Sequence, residues 1–479
     1  MFALLVGLAG CSPPEPPRRD VLLVTFDTTR ADRLGPWGGP PGLTPVIDRL
    51  AATGVVFERA QAQASVTPVA HASILTGLNP YQHGLRTLHG NRLYALPPAV
   101  LTLAERFQEL GYSTGAFISS FACSRRFGLD QGFDVFDEDF DLGRARIGPA
   151  GNISGGLAQR DGAATTDAAL AWLARRPAGQ PLFLWVHYFD PHDPLVRPPH
   201  DFLAPRLAAV PEYAAMEAAL GTDVRQFVER YASQPDLMRA WLLKMYDAEV
   251  AWSDEQLGRL LAAWSGRGPA EASVVALTAD HGEGLGDHGW WGHGILYQEQ
   301  IEVPLLIAGG GLPAGARVPD RVRHVDLAPT LLELAAAARF ERPTAGLSLV
   351  PLVRERAAGR EPELEHRPGP AYADSIAVGM RYGAVFSRDT VEEKNDQLYA
   401  WIEDDLKWIH HRLQPAASEL YDLAADPAER SDLAASRRDD ARRLEKRLQG
   451  ERPLTDTVDM TVPDDPGVQE RLRSLGYVD

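Results

Sequence analysis

Three stretches, far apart in the chain, carry residue types that could hold a divalent cation and attack an ester. The first, Thr278-Ala279-Asp280-His281-Gly282-Glu283, runs on to Gly286-Asp287-His288-Gly289 and Gly292-His293-Gly294. Adjacent Asp280 and His281 offer one hard oxygen and one imidazole, a donor pair suited to a borderline ion such as Mn²⁺ or Zn²⁺. The glycines let backbone approach a ligand closely. The second stretch is Ser65-Val66-Thr67-Pro68-Val69-Ala70-His71, continuing to Gly77. Thr67 and Pro68 read there as a helix N-cap and first helical residue. A helix N-terminus attracts anions, and a hydroxyl placed there can attack a bound oxyanion ester; the same pair equally marks an ordinary capped helix. The third stretch, His187-Tyr188-Phe189-Asp190-Pro191-His192-Asp193-Pro194, supplies imidazoles for general-acid work or substrate contact.

Buried strands must position these groups. Val21 to Phe26 is an apolar, β-branched run that stops at Asp27, Leu182 to Phe189 stops at Asp190, and Ser273 to Ala279 stops at Asp280. Tyr112 to Ser119 and Val303 to Ala308 read as further strands. Helices are expected from Thr44-Pro45 through Leu50, from the capping box Thr102-Leu103-Ala104-Glu105 to Gly111, over Ala163 to Arg176, and from Asp326 through Ala335. This alternation predicts an α/β fold with a mainly parallel central sheet flanked by helices. Ligands in open α/β sheets bind beyond the carboxyl ends of the strands, so Asp27, Asp190 and Asp280 could converge on one crevice. A single aspartate after a strand is more often a cap or turn former. From Glu355 to Gly369 the chain is charged and proline-containing, as a linker would be. Short strands around Tyr372, Val385, Leu398 and Leu406, with a basic helix from Asp432 to Leu448, predict a small C-terminal antiparallel sheet plus helix.

Lys and Arg number 48 against 65 Asp and Glu, a formal charge of -17 that repels polyphosphate backbones and argues against a nucleic-acid partner. An anionic substrate must then be met by a metal ion or a few placed cationic groups. Two cysteines, Cys11 and Cys123, exclude a disulfide framework and a cysteine-built zinc site. Phe2 to Ala9 is apolar but too short to span a bilayer, and Leu8-Ala9-Gly10-Cys11 resembles a bacterial lipoprotein signal with Cys11 as the lipidated residue. Ser12 to Arg19, with four prolines, suits an extended tether. The expected location is the bacterial cell envelope, lipid-anchored on the periplasmic face of the outer membrane or the cell exterior. The expected division is 1–19 leader and tether, 20–354 main domain, and 355–479 smaller subdomain.

Phe26-Asp27-Thr28-Thr29-Arg30-Ala31-Asp32, the Thr67 to Gly77 segment, Asp190-Pro191-His192, Asp280-His281-Gly282-Glu283, and Gly292-His293 through Val303-Pro304-Leu305 occur in the order and spacing of the sulfatase family. Asp326-Leu327-Ala328-Pro329-Thr330, Glu419-Leu420-Tyr421-Asp422-Leu423 and Asp426-Pro427 match as well, so the chain resembles that family from Asp20 to Asp479. The resemblance implies an alkaline phosphatase superfamily fold and a metal-dependent ester hydrolase with a covalent intermediate at Thr67. It implies Asp27, Asp280 and His281 as metal ligands, completed by the Thr67 hydroxyl. It gives His192 and His293 contacts to the ester oxygens or leaving group and Arg30 and Asn91 contacts to the oxyanion; His187, from the third stretch, is grouped with the substrate-binding residues. His71 stands where the family has an arginine four residues after the nucleophile, and is grouped with the catalytic residues.

Authentic sulfatases oxidise a cysteine or serine to formylglycine, and Thr67 cannot undergo that conversion. A sulfated threonine must await water attack at sulfur, whereas a phosphothreonine is open to in-line attack by an activated water. Thr67 therefore favours phosphate mono- or diesters. Thr28 replaces a second aspartate and His281 an asparagine, which moves the expected single ion from Ca²⁺ toward Mn²⁺ or Zn²⁺; a second ion using Asp190, His192 or His293 is left open. The expected substrate is a small-molecule, glycan or lipid ester, selected by variable loops such as Arg197 to Asp236 and by the C-terminal sheet. The alternatives are a phosphotransferase to a sugar or lipid hydroxyl and a non-catalytic binding protein.

Overall fold

The computed structural model describes residues 18–86, 95–139, 146–147, 153–154, 159–177, 179–192, 198–208, 210, 212–220, 233–375 and 396–451. The leader with Cys11, Asn91 and the strand expected near Val385 lie outside them.

Eight strands form the main sheet: Asp20–Phe26 (β1), Gly54–Gln61 (β2), Ser113–Ile118 (β3), Val135–Asp137 (β4), Leu182–Tyr188 (β5), Ser273–Ala279 (β6), Glu302–Gly309 (β7) and Ala316–Arg323 (β8). Their spatial order is β8-β2-β7-β6-β1-β5-β3-β4. Alternate residues of β1 enter different cores: Val21 and Leu23 pack into one, and Leu22, Val24 and Phe26 into the other. A strand covered on both faces has no solvent side, which is why its sequence lacks polar alternation. The helices Leu103–Glu109 and Leu327–Ala336 cover the first face, and the long helix Pro235–Ser265 covers the second with Tyr246, Val250, Leu257, Leu260 and Trp264. The expected capping box is present: Thr102 Oγ1 accepts from Glu105 N at 3.1 Å, and Glu105 Oε2 accepts from Thr102 N at 2.8 Å.

Every pairing in this sheet is parallel except those of β7, which runs antiparallel to both β6 and β2. Several described elements have no counterpart in the sequence reading, β2, β8 and the helix Pro235–Ser265 among them. β2 and β8 carry charged residues because they lie at one side of the sheet, where Arg317 pairs with Glu58 and Arg59 with Asp405. The helix Pro235–Ser265 shows no apolar stripe because Met245–Asp254 are buried without a break, so burial covers its whole circumference. The helix Val350–Ala357 also extends into the segment read as a linker.

Four antiparallel strands, Ala371–Ser375 (β9), Leu398–Glu403 (β10), Leu406–His411 (β11) and Glu419–Asp422 (β12), form the C-terminal sheet. The helix Arg438–Glu451, which starts later than expected, closes it by packing Ala441, Leu444 and Leu448 against Tyr399, Trp408 and Leu420. A buried Lys407–Glu429 ion pair and a bond from Gln298 N to Glu429 Oε2 at 2.6 Å tie it to the main domain. No helix among the described residues is long and apolar enough to cross a membrane.

Candidate active site

β1 and β6 run side by side with Phe26 opposite Ala279, so Asp27 and Asp280 leave the sheet together. Both are fully buried. Burial, reinforced by the neighbouring Asp27 charge, pushes Asp280 up to about 7. Burial raises Asp27 as well, opposed by the Thr67 hydroxyl. Asp280 Oδ1 accepts from Thr28 N at 3.0 Å and His281 N at 2.8 Å. Among the described residues, Asp27 Oδ1 and Asp280 Oδ2 have no hydrogen-bond partner.

The His281 ring completes the cluster. Its Nδ1 lies 3.0 Å from the Gly282 carbonyl, which can only accept, so the proton sits on Nδ1 and the Nε2 lone pair faces inward. Ligand atoms of Asp27, Asp280 and His281 all lie within 4.8 Å of one another. Two unpartnered carboxylate oxygens, an oriented imidazole lone pair and an adjacent hydroxyl fit a divalent cation, because burying two carboxylates together is otherwise costly. His187 Nε2 supports the set from outside, donating to Asp27 Oδ2 at 3.1 Å. His187 is thus fully buried beside the Asp27 carboxylate rather than in an open cleft.

Thr67 opens the helix Thr67–Thr76, all of whose residues are buried. The helix begins one residue earlier than the sequence suggests: Val66 is the cap, Thr67 the first helical residue and Pro68 the second. Thr67 Oγ1 is therefore not a cap and lies 3.3 Å from His281 Nε2. His71, one turn on, has both ring nitrogens engaged, Nδ1 with the Thr67 carbonyl at 2.8 Å and Nε2 with Thr25 Oγ1 at 3.0 Å. Burial holds it down at about 3, so it is neutral.

His293 Nδ1 lies 2.8 Å from the Ser65 carbonyl and donates to it, leaving Nε2 to face His192 Nε2 at 3.1 Å. His192 must then be the donor of that pair. Burial lowers His192, as do the facing His293 and His281. The His281 and His293 ring centroids are 4.3 Å apart, so the pair adjoins the Asp27 cluster.

Several expected residues go elsewhere. The Arg30 guanidinium is clamped by Asp32 at 2.7 Å and Asp287 at 2.8 Å and bonds the Glu283 and Gly284 carbonyls, so it is committed within the protein instead of presented to an oxyanion. Asp190 Oδ1 accepts from Gly162 N at 2.9 Å, and burial pushes the group up to about 7; its carboxylate supports a helix start and does not join Asp27 and Asp280. His288 stacks on Tyr297 and bonds Glu299. The glycines of the loop serve its own packing: a Cβ on Gly282 would lie 2.0 Å from the Glu299 carbonyl oxygen, and one on Gly284 2.2 Å from that of Trp290. Thr28, with φ of 47°, is a β-branched residue in the left-handed region, held by Asp280 Oδ1 on its N–H and by the Tyr246 hydroxyl on its carbonyl. Thr25, Trp185 and Cys123 also line the back of the site, Cys123 Sγ at 3.5 Å from His71 Nδ1. Nothing in their local sequence, inside or just after buried strands, marks them.

An acid-imidazole cluster at the carboxyl edge of a mainly parallel sheet, facing a hydroxyl at a helix start, defines an ester hydrolase of the alkaline phosphatase superfamily. The Sulfatase family model matches residues 19–337, more than half of the chain, and the chain belongs to that family. Its enzymes are generally metal-dependent. Arylsulfatase K of Gallus gallus is 24% identical over 474 residues, covering 93% of this chain and 85% of the relative. The multifunctional alkaline phosphatase superfamily protein PehA of Trinickia caryophylli is 28% identical over 483 residues, covering 87% and 91%. A solved structure in complex with its substrate D-glucosamine-2-N,6-O-disulfate superposes with a TM-score of 0.71 at 19% identity, covering 91% and 98%.

Proposed function

We propose that this chain is a metal-dependent hydrolase of phosphate and sulfate esters, with phosphate mono- or diesters preferred, and that Thr67 is its nucleophile. The observation that carries this reading is the Thr67 hydroxyl at 3.3 Å from the inward-facing His281 Nε2, beside two buried carboxylates each with a free oxygen among the described residues. A divalent cation held by Asp27, Asp280, His281 and Thr67 would supply a lowered hydroxyl pKa and neutralise charge on the ester oxygens. Mn²⁺ or Zn²⁺ suits this donor set better than Ca²⁺.

The remaining chemistry belongs to the chain. In-line attack forms the bond from Thr67 Oγ1 to phosphorus and breaks the bond to the leaving alcohol. The proton that Thr67 loses enters the His192–His293 pair at the accepting His293 Nε2 as His192 Nε2 gives its own to the departing oxygen, so the pair ends neutral. Water then displaces threonine. Full burial of Thr67, Asp27, Asp280 and His281 limits competing solvent. A threonine lacks the aldehyde route that releases sulfate, which supports phosphorus as the preferred centre. PehA, by its name, is a multifunctional member of the superfamily, and the sugar disulfate bound by the structural neighbour makes a glycan ester a reasonable substrate class. The Cys11 signal supports action from a lipid anchor in the cell envelope, on substrates met there; Cys11→Ser should move the protein from the detergent phase to the aqueous phase.

The test is purified protein with Mn²⁺, Zn²⁺ or Ca²⁺ on an aryl sulfate, a phosphate monoester and a phosphodiester, with and without an added alcohol acceptor. Turnover of a phosphate ester to free alcohol and phosphate supports the reading. Transfer to the acceptor in preference to water would make the chain a phosphotransferase.

A further inference from the structure

Beside Thr67, four fully buried residues form a continuous chain of hydrogen bonds, with His71 Nδ1 also 3.7 Å from Asp280 Oδ2. Trp185 Nε1 is 3.0 Å from Thr25 Oγ1, Thr25 Oγ1 is 3.0 Å from His71 Nε2, and His71 Nδ1 is 2.8 Å from the Thr67 carbonyl oxygen. The direction of every bond is set from its ends. An indole N–H can only donate, so the Thr25 hydroxyl accepts from it and has its single proton left for His71 Nε2. That nitrogen is then an acceptor, and the ring proton sits on Nδ1. The carbonyl at the far end can only accept, and so demands the same tautomer.

We propose that Trp185 and Thr25 are positioning residues that fix the His71 tautomer, and that His71 in turn fixes Thr67 by gripping its carbonyl. This rests on Thr67 being the nucleophile. The carbonyl belongs to the Thr67–Pro68 peptide, so its orientation is the ψ angle of Thr67. Cβ, which carries Oγ1, is bonded to the Cα next to that carbonyl, so holding the carbonyl fixes the backbone from which the hydroxyl reaches toward His281. The ring has little freedom to swing: Cys123 Sγ lies 3.5 Å from Nδ1, the Trp185 ring lies 5.3 Å away between centroids, and the His187 ring packs edge-on at 5.0 Å. In the other tautomer the Nδ1 lone pair would face the carbonyl lone pairs at 2.8 Å, and the peptide would rotate away. His71, with both nitrogens occupied, transfers no proton in the reaction.

Two substitutions at Thr25 separate this role from packing. Valine keeps the shape of threonine and loses the hydroxyl, whereas serine keeps the hydroxyl and loses a methyl group. Packing alone ranks Thr25→Val above Thr25→Ser, and the relay ranks them the other way. With ¹⁵N-labelled histidine and the His71 signals assigned by their loss in His71→Asn, the wild-type protein should show a protonated Nδ1 and a bare Nε2. Thr25→Ser should keep that pattern, and Thr25→Val should mix or reverse it. On a phosphate ester, Thr25→Val should lower kcat about 10- to 100-fold with KM little changed, the size expected for a displaced reacting group, and Thr25→Ser should restore most of the loss. A protonated Nε2 in the wild type, or Thr25→Val turning over as fast as Thr25→Ser, overturns the proposal. The tautomer is read without turnover, so the relay stands or falls on the ¹⁵N signals even in a protein that proves not to use Thr67.

Discussion

Thr67 Oγ1 lies 3.3 Å from His281 Nε2 across a sequence separation of 214 residues. The approach is produced by two unrelated devices: a helix capped at Val66 that leaves the Thr67 hydroxyl out of the cap, and a backbone carbonyl at Gly282 that turns the imidazole lone pair inward.

The Asp27 carboxylate depends on His187 for one of its oxygens. His187→Ala should weaken binding of Mn²⁺ or Zn²⁺ about 10- to 100-fold, the usual effect of losing an outer hydrogen bond to a ligand. Titration of chelator-treated protein followed by metal analysis checks this, with one ion per chain expected in the parent.

Burial holds His71, His83 and His324 down at about 3 and His187 and His281 at about 4, against an ordinary 6.5. Below 6.5 the unfolded chain binds protons that the folded chain refuses, so this stability is full above that pH and is lost as pH falls toward 4. Asp280 acts in the opposite sense: its rise from 3.8 to about 7 means that the metal-free folded protein pays for a buried charge above neutrality. In thermal melts of chelated protein at about pH 8, Asp280→Asn should raise Tm relative to the parent.

How much of this arrangement was legible in the chain depends on where the governing contact lies. Asp27 and Asp280 were readable because each ends an apolar run abruptly, and parallel strands bring such ends together. The antiparallel β7 was not, because an apolar run looks the same in either direction. The role of Thr67 was ambiguous because cap and nucleophile share one residue pair; the one-residue shift in the helix start removes the cap role. Arg30 has the chemistry of an anion contact, yet Asp32 and the distant Asp287 take its guanidinium. Asp190 ends its strand as the other two do, and is drawn instead to the start of the helix Gly162–Leu173.

His192→Ala should slow esters with poor leaving groups far more than activated aryl esters, because only the former need a proton on the departing oxygen. A loss of about 10²- to 10⁴-fold on an alkyl phosphate with a much smaller loss on an aryl phosphate is expected. A Brønsted plot of kcat/KM against leaving-group pKa should steepen in the variant.

Away from the site, Arg323 grips the fully buried Asp326 carboxylate with its Nε and Nη2, and Leu347 N bonds the same carboxylate at 2.9 Å. Arg323→Met leaves that buried charge without its cation and should cost about 3–5 kcal/mol in denaturant unfolding.

Catalysis through Thr67 requires its oxygen to become bonded to the phosphoryl group. The direct measurement is an acid quench of the metal-loaded enzyme during turnover of an aryl phosphate, with mass mapping of the peptide that contains Thr67–Thr76. A phosphoryl group on Thr67 is expected, together with its absence in Thr67→Ala and a fall in kcat of at least about 10³-fold in that variant. Unchanged turnover by Thr67→Ala would contradict a threonine nucleophile.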